Sequence, residues 1–140
     1  MRRLLAACLG IAVAIAGCGG SSSESAKAAR QIKIATSDQL RFDPASVSAQ
    51  AGEKVTFVIT NPGALEHEFT IGDADYLKGH AGEGGGHGGG HGDSKDGATV
   101  KVPAGKTARL TFTMPSAAPS YACHVDNHDK SGMTGTVTYA

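Results

Sequence analysis

The chain has 140 residues, enough for one domain of ordinary size. Thirteen basic and thirteen acidic residues balance to a formal charge of zero, so no basic field is present to grip phosphates, and nucleic acid is excluded as a partner. Aromatic residues make up only 5% and Trp is absent, while Gly occurs 20 times, so part of the chain stays outside any core.

Met1-Arg2-Arg3 is a short positive n-region. Residues 4–16 form an apolar run too short to span a bilayer but of signal-peptide length. Ile15-Ala16-Gly17-Cys18 resembles the lipobox of bacterial lipoproteins, in which the Cys becomes the lipidated first residue of the mature chain. Leu5-Ala6-Ala7-Cys8 is spelled similarly but follows no apolar run. An ordinary cleaved signal with an incidental Cys18 is the alternative, and both readings predict export. Residues 1–17 are thus expected to be a signal peptide, and 18–30 a lipidated Cys18 with a flexible polar tether. The folded domain is expected over 31–140. The lipobox resemblance implies a membrane-anchored protein facing the periplasm or the cell exterior. Losing Arg2 and Arg3 leaves a net charge of about −2.

Cys8 leaves with the signal and Cys18 is taken by lipid, so Cys123 has no partner for an internal disulfide. In an oxidising compartment an unpaired thiol needs burial or a bound metal.

Alternating apolar and polar residues predict short strands over 31–36, 45–49, 54–60, 67–71, 99–102, 106–113 and 134–139. Gly, Pro, Asn and Asp separate them. Val55, Phe57 and Ile59 share one face. A turn of helix near 73–79 is the one helical signal. The spacing predicts an all-β sandwich with antiparallel pairing. Residues 79–92 interrupt it with nine Gly, Glu83, His80, His87 and His91. This low-complexity insert is predicted to be mobile and unable to pack a core.

The stretch Tyr121-Ala122-Cys123-His124-Val125-Asp126-Asn127-His128-Asp129-Lys130-Ser131-Gly132-Met133 carries the chemistry. A Cys at a strand end, a His in the following loop and a Met before the next strand can converge on one point. Thiolate, imidazole and thioether suit copper in both oxidation states, and a weak axial Met marks a blue-copper site. His67, after the turn in Asn61-Pro62-Gly63-Ala64-Leu65-Glu66-His67-Glu68-Phe69, can supply a second imidazole. Taken singly, each has an ordinary role: Met133 a core filler, Cys123 a small buried hydrophobe, His67 a strand residue. Their conjunction is the specific feature.

These residues resemble the type 1 copper proteins, the cupredoxins, over 31–140. His67-Glu68-Phe69, Pro103-Ala104-Gly105-Lys106-Thr107 and Tyr121-Ala122-Cys123-His124-Val125 are similar to bacterial plastocyanin-like members. The resemblance implies a Greek-key β-sandwich in which His67, Cys123 and His128 are equatorial copper ligands and Met133 is axial. Many cupredoxins carry Asn after the first His, where Glu68 stands here, which leaves the outer hydrogen bonding and the redox potential open. His124 follows Cys123, so strand alternation turns it away from the metal, to the surface or the outer shell.

With no open ligand position, the expected function is a monomeric one-electron carrier cycling Cu(I) and Cu(II). An exposed His128, with Met133 and Pro62 around it, would meet a redox partner protein. The alternative is copper capture, buffering or resistance, assisted by weak Cu(II), Zn(II) or Ni(II) binding at His80, His87 and His91. Glycine makes that loop site unselective, and a tolerated loop expansion explains it equally well. An enzyme is set aside: a copper reductase or oxidase needs further domains, and a binuclear centre needs two loop Cys.

Overall fold

The computed structural model describes residues 29–82 and 96–140. The expected signal peptide, Cys18, most of the tether, Glu83, His87 and His91 lie outside the described residues. In chain order these residues form β1 (Arg30–Ser37), β2 (Arg41–Asp43), β3 (Ser46–Ala49), β4 (Lys54–Thr60), β5 (His67–Gly72), α1 (Ala74–Gly82), β6 (Gly97–Val102), β7 (Thr107–Thr113), β8 (Ser120–Ala122) and β9 (Thr134–Tyr139).

One sheet has the order β2-β1-β4-β7 and the other β3-β9-β8-β5-β6. Most neighbours in a sheet are not consecutive in the chain, which is the Greek-key connectivity of a two-sheet sandwich. The pairing is not wholly antiparallel, however. β1 lies parallel to β4, with Ile32 opposite Phe57, and β3 lies parallel to β9, with Val47 opposite Val137. Alternation reveals which face of a strand is buried but not which way its neighbour runs.

The core lies between the sheets. Ile34, Val55, Phe57 and Ile59 meet Phe69, Ile71, Val102 and Tyr121. All four Phe are buried there, each fully buried ring contributing about 1.5–3 kcal/mol. The tilted ring pairs Phe57–Phe69 and Phe69–Tyr121 have centroids 5.0 and 5.1 Å apart. The Tyr121 hydroxyl donates to the Pro44 carbonyl at 2.9 Å, which fixes the ring. Gly135 of β9 lies against it; a Cβ there would stand 2.1 Å from Tyr121 Cε2.

β5 is buried on both faces. His67, Phe69 and Ile71 point into the core, while Glu68 and Thr70 point to the outer face, beneath α1. That helix extends beyond the expected turn. Asp73 caps it, its Oδ1 accepting the Tyr76 N–H at 2.8 Å. The Tyr76 ring lies on Gly72 and Gly97, where added Cβ atoms would sit 2.7 and 2.2 Å from it. Residues 79–82, expected to begin the unpacked insert, instead complete the helix and dock His80 on the sheet.

Candidate metal centre

His67 opens β5, and two side chains fix the loop before it. Asn61 is fully buried; its Nδ2 donates to the carbonyls of Leu65 (2.7 Å) and Val102 (2.9 Å), and its Oδ1 accepts the Gly63 N–H at 3.1 Å. The Asp38 carboxylate accepts the N–H groups of Ala64 and Leu65 at 3.0–3.2 Å. Those backbone donors hold the Asp38 pKa below the usual carboxylate value. Neither fastener was singled out in the sequence, although Asn61 stands in the strand-ending Asn-Pro-Gly turn.

Cys123 directly follows β8. Its N–H donates to the Met133 carbonyl at 3.1 Å, and the Met133 N–H donates to the His128 carbonyl at 3.0 Å, so the intervening loop returns on itself. The return needs left-handed backbone at Asp126 (φ 47°) and Asn127 (φ 60°), two residue types that tolerate it, and at Gly132 (φ 94°). His128 rides on the 3-10 segment Val125–Ser131.

The loop brings the predicted donors together. Cys123 Sγ stands 3.5 Å from His128 Nδ1 and 4.0 Å from His67 Nδ1. Metal–sulfur and metal–nitrogen bonds of about 2.3 and 2.0–2.1 Å, opened to roughly 110–120°, separate S and N by about 3.6–3.8 Å. The observed pair of distances brackets that span, so the donor set fits one metal ion. Cys123, His67 and Met133 are wholly buried. His128 is 8% exposed, so its expected exposure is corrected: the loop folds the ring inward. Met133 likewise lies in the core rather than on a docking patch, while Pro62 is exposed and neighbouring Leu65 is 44% exposed.

Burial pushes the Cys123 thiol up to about 11, against the Glu68 and Val125 backbone N–H groups that favour the thiolate. Glu68 N donates to Sγ at 3.3 Å. Burial, aided by neighbouring His128, lowers the His67 pKa and favours the neutral imidazole that a metal requires, while Asp38 opposes it weakly.

A second group of donors occupies the outer face of the same strands. His124 turns away from Cys123 as alternation predicts, yet that side is not solvent. Its side chain is 3% exposed, covered by His80 of α1, whose ring centre stands 5.4 Å from that of His124. Glu68 Oε1 lies 3.1 Å from His80 Nε2 and 3.6 Å from His124 Nδ1. Burial raises the Glu68 pKa, but His124, Thr70 and His80 together outweigh it and leave the carboxyl below its ordinary value. His80 therefore joins Glu68 and His124, whereas His87 and His91 lie outside the described residues.

Sandwich and donor set together are those of a copper protein. The family model of copper binding proteins, plastocyanin/azurin family, matches residues 28–140, and the chain belongs to that family. Among curated proteins it is 35% identical over 119 residues to the copper-resistant cuproprotein CopI of Rubrivivax gelatinosus, covering 84% of this chain and 71% of that one. The CopI of Pseudomonas aeruginosa is 31% identical over 147 residues, 85% and 81% of the two chains. Auracyanin B superposes with a TM-score of 0.68 at 19% identity, covering 80% of this chain and 89% of that one. Reduced auracyanin of Roseiflexus castenholzii superposes at 0.66 with 25% identity, covering 79% and 96%. The chain is thus a cupredoxin-like copper-binding protein.

Proposed function

We propose that this chain is an exported copper-resistance protein in which His67, Cys123, His128 and Met133 would hold one copper ion. The observation that carries the centre is the convergence of Cys123 Sγ with the Nδ1 atoms of His67 and His128. Bound copper supplies one-electron cycling between Cu(II) and Cu(I). The protein's part is to present Cys123 as a thiolate. The Sγ–H proton is released on metal uptake, and the Glu68 N–H steadies the charge left behind. The ligand-bearing segments are braced by β5, β8 and β9.

The resistance role rests on the copper-resistant CopI relatives, which share sequence over more than four fifths of this chain. The lipobox-like Ile15-Ala16-Gly17-Cys18 supports export and lipid anchorage at Cys18. No helix among the described residues is long and apolar enough to cross a membrane. One-electron carriage to a redox partner is the second reading, favoured by the braced and enclosed ligand set. On either reading the protein is a monomeric binder rather than an enzyme.

Deleting the gene tests the choice. Resistance predicts growth arrest at copper concentrations the parent strain tolerates, rescued by the wild-type gene but not by Cys123→Ser. Unchanged copper tolerance with impaired respiratory growth would favour the carrier instead.

A further inference from the structure

Strand alternation places Glu68 and His124, the residues directly after His67 and Cys123, on the face opposite the copper ligands. β5 and β8 pair antiparallel with Thr70 opposite Ala122. Continuing that register by two residues sets Glu68 opposite His124. Helix α1 then brings His80 down onto both. The donor atoms of this trio all lie within 4.8 Å of one another, the same spacing that groups His67, Cys123 and His128.

From this arrangement we propose that Glu68, His80 and His124 form a second metal site, separate from the copper centre, for a borderline divalent cation, Cu(II) ahead of Zn(II). Three observations carry it. Metal–ligand bonds of about 2.0–2.1 Å at the tetrahedral angle set donor atoms roughly 3.3–3.4 Å apart. Glu68 Oε1 stands 3.1 Å from His80 Nε2 and 3.6 Å from His124 Nδ1, on either side of that value. His124 Nδ1 is also fully buried and faces the carboxylate at 3.6 Å, just beyond hydrogen-bond reach, with no hydrogen bond to any other group. A buried imidazole nitrogen without a hydrogen bond is destabilising unless something binds it. Finally, the carboxylate has the outer support that metal-ligating carboxylates have. Thr70 Oγ1 donates to Glu68 Oε1 at 2.7 Å, and Thr99 Oγ1 donates to Thr70 at 2.8 Å.

Two imidazoles and one carboxylate form a three-ligand set with a fourth position left for water. Imidazole and carboxylate without sulfur bind Cu(II) and Zn(II), and the Irving–Williams order ranks Cu(II) higher. The two centres share the His67–Glu68 and Cys123–His124 peptide units, so one fold holds two ions on opposite faces of one sheet.

The test uses the full chain carrying one equivalent of copper, followed by a second equivalent of Cu(II) or of Zn(II). Paramagnetic resonance reads Cu(II), and competition with a chromophoric chelator reads Zn(II). Wild type takes the second equivalent, Cu(II) more tightly than Zn(II). His80→Ala and Glu68→Gln weaken it beyond the roughly 10–100-fold that loss of an outer-shell partner costs. His80→Ala keeps the thiolate-to-copper band of the first centre, which shows that the variant is folded. The double variant His87→Ala/His91→Ala binds the second equivalent as wild type does. Cys123→Ser, whose first centre lacks its thiolate, still binds at the second, so failure of one site is distinguishable from failure of the other. The proposal is overturned if wild type takes no second equivalent, if His80→Ala and Glu68→Gln bind it unchanged, or if the His87/His91 variant loses it.

Discussion

The backbone N–H of Glu68 donates to Cys123 Sγ at 3.3 Å, while the Glu68 carboxylate faces the other way, toward His80 and His124. One residue thus touches both donor groups through different atoms. Its main chain steadies the candidate copper thiolate, and any residue but proline at this position retains that N–H donor. Only the carboxylate is specific to the outer face.

Replacing Cys123 by Ser removes the sulfur donor that gives a type 1 centre its intense colour. The visible thiolate-to-copper band of the copper-loaded protein is expected to vanish in Cys123→Ser and to persist in His91→Ala. Loss of the band in His91→Ala would show the ligand set to be wrong.

Asn61 ties the loop that delivers His67. Asn61→Ala leaves the Leu65 and Val102 carbonyls without their buried donor, a cost of about 1–3 kcal/mol. Urea unfolding of the apoprotein should show a lower midpoint at unchanged slope, and copper affinity should fall with it. An unchanged midpoint would mean that the loop holds itself.

Gly135 has no room for a side chain, because the Tyr121 ring beside it is buried and held by Pro44. Gly135→Ala forces that ring to shift and should destabilise the fold by about 1–3 kcal/mol, read from thermal unfolding. Relief by a second change, Tyr121→Phe, which frees the ring from Pro44, would identify the clash as the cause.

The pH dependence of apoprotein stability has two arms. Folded Cys123 keeps its proton to about 11, against 9.0 for the free thiol, and Tyr121 to about 12, against 10.0. Between those values the folded state holds more protons than the unfolded one, so stability falls as pH rises from about 9. At the acid end the His67 pKa lies below 6.5, and the unfolded state holds more protons. Stability therefore falls as pH drops through 6.5. The urea midpoint should be highest between the arms, and Cys123→Ala should flatten the rise in instability between 9 and 11. A midpoint that ignores pH above 9 would contradict the burial of the thiol.

Much of this was legible in the residues. The alternation of Val55, Phe57 and Ile59 gives β4 its observed bounds, and the Thr134–Tyr139 strand is likewise read correctly. Three-residue strands such as β2 and β8 carry too few alternations to be recognised. α1 was missed as a full helix because Ala74–Gly82 has no continuous apolar stripe; its cap at Asp73 and the glycine platform under Tyr76 hold it instead. The convergence of His67, Cys123 and His128 was readable from residue type and order. The Glu68–His80–His124 group was not, since it joins residues far apart in the chain through a strand register and a helix docking. Alternation gave the direction of His124 correctly, but whether that direction meets water or a helix depends on tertiary structure.

The order of the candidate copper donors along the chain sets the timing of assembly. His67 stands midway, while Cys123, His128 and Met133 all come in the last part, and Cys123 follows a strand that pairs with β5 and β9. A chain made from its N-terminus completes His67, the first of the four candidate copper donors, well before the other three. Cys123 and Met133 are placed by β8 and β9, so these donors stand beside His67 only where the two C-terminal strands are paired into the sheet. A copper ion held there would tie the C-terminal Cys123–Met133 segment to β5 of the same sheet, so its effect would be to fasten the end of the chain.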